Sequence, residues 1–240
     1  MNNEISGTVP KSKTFKLISA ALMCAIIAIL AQIAIPMPSG VPITLQTFAV
    51  ALCGCMLEIR YSLASVAVYL LLGLVGVPVF SGLQAGPGRL FGPTGGFLWG
   101  FLIFAFFCSL SSKYMDRNKD RFQSQSAEHN KDAFQVQSME QKKDDFQNQS
   151  VEQNINNRQN RSMGRSMGQY RDRVIRVVLC LAGLAICHIC GVLQYSFVTQ
   201  NGILPSFVIV SLPYLIKDIA SVILAILIAD RIRPILMRLS

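Results

Sequence analysis

Long apolar runs constrain this chain more than any other feature. Six of them occur within 240 residues, and a helix needs ~20 mostly apolar residues to cross a bilayer. The predicted spans are Phe15–Ile35, Thr44–Ile59 (a short one), Tyr61–Val77, Thr94–Leu110, Val174–Val198 and Leu204–Ala229. Because backbone polar groups in lipid must be hydrogen-bonded within the chain, such runs fold as helices. We therefore predict an all-α integral membrane bundle of six transmembrane helices.

The charged residues are few and unevenly placed. They make up 15% of the chain, against about 25% in soluble domains. The segment from Lys113 to Asp172 holds 11 basic and 9 acidic residues, which leaves 11 basic and 4 acidic residues for the other 180 positions. A soluble fold with so few charges could not cover its surface. The composition therefore indicates a membrane protein that is surrounded by the lipid bilayer. The net charge of +9 does not indicate nucleic acid, because the remaining basic residues flank apolar runs.

Those basic flanks predict the orientation in the membrane. Lysines at 11, 13 and 16 precede the first run, and arginines at 231, 233 and 238 follow the last. Cytoplasmic ends of membrane helices carry such residues, so we expect both termini in the cytoplasm of a multi-pass cell-membrane protein. The three outer loops then hold a single charge, Arg89. The first run is too long for a secretion signal, so we interpret it as a retained helix.

Composition divides the chain into three parts. Residues 1–112 hold helices 1–4, residues 113–172 form a low-complexity cytoplasmic insert, and residues 173–240 hold helices 5–6, which complete one membrane domain with the first part. In the insert, a twelve-residue unit begins at Asp120, Asp132 and Asp144. One phenylalanine per unit buries too little apolar area to offset the ordering entropy, so we expect a disordered or transiently helical loop. It either docks a partner or is an expansion that a loop tolerates.

A lysine and an aspartate lie side by side within the sixth run. Lys217 and Asp218 each cost about 2.5–3.5 kcal/mol at a helix centre, and nothing in helix stability requires them. Neighbouring side chains point ~100° apart on a helix, so we expect that the two do not simply neutralise each other. Either they bind a ligand or they pair with another helix, although no other run offers a charged partner at depth. Pro213 is expected to disturb the helix just upstream.

Polar and aromatic residues near the outer helix ends complete the candidate site. The glycine-rich loop at 76–96 is expected to adopt one defined shape, to re-enter the membrane as a lid, and to offer Arg89 to a carboxylate. Thr44 is predicted to cap the second helix and Gln46 to begin it. The loop lacks a Gly-Lys-Ser/Thr sequence, so it is not a phosphate loop. The candidate substrate-binding residues are Asp218, Lys217, Arg89, Gln84, Phe80, Phe91, Thr44, Gln46 and Tyr195.

The seven cysteines all lie within apolar runs. The stretch from Cys187 through His188 to Cys190 allows a redox or metal interpretation. A buried thiol in such surroundings behaves more often as a small hydrophobe. We therefore predict no disulfide framework, no metal site, no cofactor and no catalytic residue.

Three motifs resemble those of the BioY family, the biotin-specific substrate-binding components of energy-coupling-factor transporters. They are AIPMPSGVPITLQT at 34–47, YLLLGLVGVPVF at 69–80 and GPTGGF at 92–97. The resemblance implies six helices, an outward-facing biotin site and no enzymatic activity. It also implies three partner subunits: a transmembrane coupling subunit and two cytoplasmic ATPases. A small-xxx-small face on the first helix, here Ala21 and Ala25, is implied to contact the coupling subunit.

Two alternatives and one departure accompany this resemblance. Family members often carry an aspartate followed three residues later by lysine in the last helix, whereas here Ser221 follows Asp218 and the lysine is Lys217. One alternative is the same architecture with specificity for another vitamin. The other is an intramembrane enzyme that uses Asp218 with His188 or a cysteine, which requires a nucleophile and a base within hydrogen-bond reach.

Overall fold

The structure is a computed structural model that describes most of the chain. It covers the backbone of residues 13–38, 40–140 and 147–239, and the side chains of residues 13–38, 40–118, 121, 124, 168 and 170–233. Its helices are α1 (Lys13–Gln32), α2 (Gln46–Met56), α3 (Ile59–Val75), α4 (Pro87–Leu90), α5 (Gly95–Glu140), α6 (Gln147–Thr199), α7 (Ile203–Val210) and α8 (Leu212–Leu239). Two short strands, β1 (Ala34–Ile35) and β2 (Ile43–Thr44), pair antiparallel between α1 and α2.

Four helical segments are long and apolar enough to cross a membrane. They are Lys13–Gln32, Gly95–Asn118, Tyr170–Thr199 and Leu212–Arg233, and two shorter apolar helices, α2 and α3, accompany them. Large apolar side chains such as Leu17, Ile29 and Ile216 remain exposed on the outer faces, as expected of helices whose surroundings are lipid. The prediction of an all-α, multi-pass membrane protein is confirmed.

The chain forms two compact units, Met1–Ser112 with Val177–Ser240, and Lys113–Arg176. In the first unit α2 is the most enclosed helix, because it packs against α1, α3 and α8. Nine of its 11 residues are buried. Since α2 does not need to face lipid on any side, it can carry the polar residues Gln46 and Thr47 at its start, both buried.

Glycines allow α5 and α6 to approach each other closely in this unit. Gly96 and Gly100 of α5 lie against the backbone or side chains of α6, and Gly183 and Gly191 of α6 lie against phenylalanine rings of α5. A Cβ atom at any of these four positions would collide with the opposite helix. Close backbone approach through small residues is the usual way in which membrane helices pack.

Several predicted helix boundaries were wrong. The first helix ends at Gln32 instead of Ile35, because Ile35 precedes a proline and pairs with Ile43 in the short sheet. Thr44 does not cap α2, because it belongs to β2 and Leu45 holds the N-cap position. The sixth predicted helix is interrupted at Ser211, which separates α7 from α8. This interruption lies two residues before Pro213, where the sequence predicted a disturbance.

The second unit contains the insert. Within it, α5 continues to Glu140 and α6 begins at Gln147, so the described backbone is helical where we expected a disordered or transiently helical loop. At the base of the unit, Asn118 Nδ2 donates to Asp172 Oδ1 over 2.8 Å. The third repeat contains Asp144 and Phe146, which lie outside the described residues.

Candidate ligand-binding site

A cavity of about 740 Å³, which includes its part open to solvent, lies among the helices of the first unit. The cavity is lined by the segment around β2 and α2, the loop between α3 and α5, and residues of α5, α6, α7 and α8. Its polar lining is Thr44, Gln46, Thr47, Ser81, Gln84, Arg89, Thr94, His188, Lys217 and Asp218, and its aromatic lining is Phe80, Phe97, Phe101 and Tyr214.

Lys217 and Asp218 form an ion pair at the cavity wall. Lys217 Nζ contacts Asp218 Oδ1 and also donates to the carbonyl oxygen of Thr44 over 2.8 Å. The two side chains do contact each other, because the long lysine side chain bends toward the neighbouring carboxylate. Each also has a further partner, so they do not simply neutralise each other. Asp218 is buried, at 5% exposed, while the Lys217 side chain is 25% exposed. The cation is therefore the more accessible of the two charges.

His188 of α6 contacts the other oxygen of the same carboxylate. Its Nε2 lies 3.2 Å from Asp218 Oδ2, and its Nδ1 lies 2.9 Å from the Ser211 hydroxyl. A neutral imidazole with its proton on Nε2 satisfies both contacts, since it donates to the carboxylate and accepts from the serine. The sequence predicted that no other helix offers Asp218 a charged partner at depth, and α6 offers it a polar one instead. The partner is a histidine, which a search for charged residues passes over.

A chain of hydrogen bonds orients the polar residues at the start of α2. Thr44 Oγ1 donates to Gln46 Oε1 over 3.0 Å, and Gln46 Nε2 donates to the Tyr69 hydroxyl over 2.5 Å. The Tyr69 ring packs edge-on against Phe80, with the ring centroids 5.6 Å apart. Phe80 in turn lines the cavity. The Gln46 amide is thus held in one orientation before any ligand arrives.

The loop between α3 and α5 folds back on itself to bring its polar residues to the cavity. Phe80 and Gln84 exchange two backbone hydrogen bonds, of 2.9 and 3.2 Å. The tight turn between them requires a positive φ at Gly82, which glycine adopts without strain. Gln84 lines the cavity because of this turn. Arg89 reaches it from α4, a single helical turn that the sequence did not predict.

Two glutamine side chains fasten the ends of this loop to the helices. Gln32 of α1 donates through Nε2 to the carbonyl oxygens of Val79 and Phe80, and its Oε1 accepts from the Leu83 backbone N–H over 2.9 Å. Gln194 of α6 donates to the carbonyl oxygens of Leu90 and Gly92, both over 2.9 Å. The loop therefore has the defined shape that its glycines and prolines predicted.

Seven of the nine predicted site residues line this one cavity: Asp218, Lys217, Arg89, Gln84, Phe80, Thr44 and Gln46. Phe91 does not, because the neighbouring Leu90 takes the buried position after α4 and leaves Phe91 67% exposed. Tyr195 does not either, because it packs in an apolar cluster with Val41, Val192 and Val210, of which only the first and the last reach the cavity.

Sequence reasoning missed two residues that supply aromatic walls in their place, Phe101 of α5 and Tyr214 of α8. Both line the cavity beside Phe97, an aromatic residue that the sequence did suggest as an apolar wall. Helical spacing could have found Tyr214, because it precedes Asp218 by four positions and so shares its face. The same spacing relates Phe97 to Phe101. His188 was considered only as a base or a packing group, and its proximity to Asp218 depends on how α6 and α8 pack.

The enzyme alternative used Asp218 with His188 or a cysteine. The structure adds Ser211 to this group, and the Ser211–His188–Asp218 chain has the order of a nucleophile, a base and an acid. However, Ser211 is fully buried, at 0% exposed, and the cavity lining does not include it. Its hydroxyl cannot reach a substrate in the cavity. The chain of hydrogen bonds therefore acts to orient Asp218.

The fold and the cavity define a class: a multi-pass, all-α membrane protein with a small-molecule cavity among its helices. Within this class the chain belongs to the BioY family, whose family model matches residues 2–133 and 159–238. The resemblance predicted from the three motifs is confirmed.

Individual relatives agree with this assignment. The chain is 49% identical over 92 residues to biotin transporter BioY2 of Lactococcus lactis subsp. cremoris (strain MG1363), which covers 38% of this chain and 50% of that protein. It is 44% identical over 95 residues to biotin transporter BioY of Thermotoga maritima, covering 40% and 56% respectively. The chain thus spans about half the length of these curated relatives. A crystal structure of the S-component for biotin from an ECF-type ABC transporter shares the fold, with a TM-score of 0.63, 23% identity and 94% of both chains covered.

Proposed function

We propose that the chain is the biotin-binding component of an ECF-type ABC transporter. It captures biotin at the outer face of the membrane and delivers it together with a transmembrane coupling subunit and two cytoplasmic ATPases. The chain itself performs no chemistry. Family membership and the names of the relatives support this proposal, as does a cavity whose polar groups suit this ligand.

The observation that carries the proposal is the Lys217–Asp218 pair at the wall of a cavity that also presents Arg89 and Gln84. Biotin has a ureido ring with two N–H donors and one carbonyl, and an apolar chain that ends in a carboxylate. Asp218 accepts from the ring N–H groups, and the partly exposed Lys217 donates to the ligand. Arg89 binds the tail carboxylate in the bidentate manner that a guanidinium favours.

Aromatic side chains enclose the apolar part of the ligand. Phe80, Phe97, Phe101 and Tyr214 all line the cavity, and a site of this kind is mostly apolar with a few polar groups that fix orientation. Phe97 also packs edge-on against His188, with the ring centroids 5.7 Å apart. The aromatic wall of the cavity is therefore in contact with the histidine that binds the Asp218 carboxylate.

The proposed topology has six spans and cytoplasmic termini. The four long segments count as four spans, α7 being joined to α8, and α2 and α3 supply the other two. At 11 residues α2 is only ~17 Å long, which is shorter than the ~30 Å hydrocarbon core. The β2 segment, which directly precedes α2, supplies the remaining depth. This segment does not have to face lipid, because α1, α3 and α8 enclose α2.

The first helix is the proposed contact with the coupling subunit. Ala21 and Ala25 lie on an exposed face of α1, where small residues allow another helix to approach closely. The neighbouring Leu22 and Ile29 are also exposed, at 58% and 65%. A helix of the coupling subunit would cover this face in place of lipid.

The proposal is tested by ligand identity and by substitution. Mass spectrometry of the detergent-purified chain is expected to find co-purified biotin, and calorimetry is expected to show that other vitamins do not displace it. Asp218→Asn is expected to weaken biotin binding at least 100-fold, because it affects two hydrogen bonds to a charged group at about 1.5–3 kcal/mol each. Lys217→Ala affects one such bond, so a loss of about 10- to 100-fold is expected.

The matched control is Asp230→Asn, an exposed carboxylate further along α8, which should bind biotin as the unmodified chain does. Retained affinity in a monodisperse Asp218→Asn protein would show that the site is misplaced. Stoichiometric binding of a different vitamin, with no affinity for biotin, would favour the alternative specificity.

A further inference from the structure

Three cysteines from three different helices meet in the core of the first unit, away from the ligand cavity. Cys55 lies in the last turn of α2, Cys108 in α5 and Cys180 in α6. Their Sγ atoms all lie within 4.8 Å of one another. All three residues are fully buried, at 0% exposed, and the cavity lining includes none of them. We call this group the thiol triad.

The separation of the sulfur atoms suits three-coordinate metal binding. A thiolate binds a d¹⁰ ion at about 2.3 Å, and a metal at the centre of three such ligands places the sulfur atoms about 4.0 Å apart. The triad therefore needs a contraction of less than about 1 Å to close around an ion. Cysteine side chains can supply this through small changes in χ1 without moving the helices.

The ligand set selects the kind of ion. Within the described part of the chain, no histidine or carboxylate joins the three thiols, so the fourth ligand of a closed zinc site is missing. Thiolate sulfur is a soft ligand that favours Cu(I). We propose that the thiol triad is a three-coordinate binding site for Cu(I). Each thiol that binds as thiolate releases one proton.

Neighbouring hydroxyl groups provide an outer shell for such a site. The Ser111 hydroxyl lies 3.4 Å from Cys180 Sγ and donates to the carbonyl oxygen of Cys108 over 2.6 Å. When Cys180 is a thiolate, the same hydroxyl can rotate and donate to the sulfur. Outer-shell donors of this kind orient the ligands and stabilise their charge.

A charged side chain is linked by hydrogen bonds to the backbone next to the triad. Ser112 Oγ donates to the carbonyl oxygen of Cys55 over 2.9 Å, and Arg233 Nη1 donates to the carbonyl oxygen of Ser112 over 3.5 Å. Arg233 is partly exposed, so the triad connects through two hydrogen bonds to a charged group at the protein surface. On the proposed topology, this end of α8 faces the cytoplasm.

The pair of cysteines singled out by the sequence does not form the site. Cys187 lines the ligand cavity, and its thiol donates to the carbonyl oxygen of Phe97 over 3.6 Å. Within the described residues, neither Cys187 nor Cys190 belongs to a group of three potential metal ligands. The members of the triad lie far apart in the sequence, so only the packing of α2, α5 and α6 brings them together.

The test uses the full-length chain, purified in detergent under reducing, anaerobic conditions and titrated with Cu(I) against the chromogenic chelator bathocuproine disulfonate. The unmodified chain is expected to retain one Cu(I) per molecule, and X-ray absorption is expected to show three sulfur neighbours. Cys55→Ser, Cys108→Ser and Cys180→Ser are each expected to weaken Cu(I) binding at least 100-fold. Cys24→Ser is the matched control, because Cys24 is a buried cysteine of α1 outside the triad, and it should retain the ion.

Three outcomes overturn the proposal: no stoichiometric Cu(I) on the unmodified chain, fewer than three sulfur neighbours, or equal binding after Cys108→Ser. Thermal unfolding without metal checks that each variant is folded. The sulfur count on the unmodified chain is decisive even where a variant does not fold. Because the readout is metal binding, failure here leaves the proposed biotin site unaffected.

Discussion

Asp218 of α8 and His188 of α6 lie 3.2 Å apart, measured from Oδ2 to Nε2, and this contact joins the two helices at the wall of the cavity. The other carboxylate oxygen contacts Lys217. A carboxylate offers about four lone-pair positions, and three protein groups, His188, Lys217 and Thr47, hold this one in place. Such preorganisation favours binding because less freedom is lost when the ligand arrives.

Replacing His188 by alanine is expected to weaken biotin binding 10- to 100-fold. The variant removes a hydrogen bond to a charged group, which contributes about 1.5–3 kcal/mol, and each 1.4 kcal/mol is tenfold in affinity. Ser211→Ala removes a neutral hydrogen bond of about 1 kcal/mol, so a loss of about fivefold or less is expected. Calorimetry with biotin measures both. If His188→Ala binds as tightly as the unmodified chain, the histidine does not orient Asp218.

Gly73→Ala is expected to narrow the cavity indirectly. A Cβ at Gly73 would overlap the Phe80 ring, which lines the cavity, so the ring must shift. Overpacking of this kind costs about 1–3 kcal/mol, and we expect biotin affinity to fall at least tenfold. Gly88→Ala is the control, because no atom lies near its Cβ position. Equal biotin affinity of the two variants would show that the Phe80 ring can move without weakening biotin binding.

The sequence predicted the helices well and their ends poorly, for a physical reason. Apolar runs determine which segments enter the membrane, but hydrogen bonds that form only after packing determine where each helix stops. Ala34 and Ile35 continue the first apolar run, yet they leave α1 to pair with Thr44 and Ile43. The interruption at Ser211 was predictable, because Pro213 acts locally on its own helix.

In the candidate site too, the sequence identified residues whose role depends on their own helix and missed contacts that form only when helices pack. Lys217 and Asp218 were identifiable because buried charge is costly wherever the helix packs. Their partners were not, since His188 and Thr44 meet them only through the packing of α6 and β2 against α8. Phe91 was misassigned because the sequence does not show which of two adjacent apolar residues, Leu90 or Phe91, turns inward.

Gln32→Ala is expected to loosen the loop between α3 and α5. The variant removes the acceptor of the Leu83 N–H and a donor to the carbonyl oxygens of Val79 and Phe80. At about 1 kcal/mol for each of these three hydrogen bonds, the loss is about 3 kcal/mol, and local opening becomes about 150-fold more frequent. Hydrogen–deuterium exchange in residues 79–84 should accelerate accordingly.

Gln194→Ala is the matched control for this loop, because Gln194 fastens its other end at Leu90 and Gly92. We expect exchange in residues 79–84 to stay unchanged in that variant. If both variants accelerate exchange there equally, the loop opens as one piece and Gln32 has no separate role.

Removing residues 125–167 is expected to leave biotin binding within about twofold of the unmodified chain, because the residues that line the cavity all belong to the first compact unit. Asn118 and Asp172 hold α5 and α6 side by side at the base of the second unit, and helices that are antiparallel neighbours can be joined by 2–8 residues. A six-residue Gly/Ser linker from Ser124 to Gly168 therefore closes the chain.

Calorimetry tests biotin binding by the shortened chain, and co-purification with the coupling subunit tests its assembly. Lost assembly with retained binding would identify the insert as a docking element, whereas lost binding in a monodisperse protein would contradict the independence of the two units.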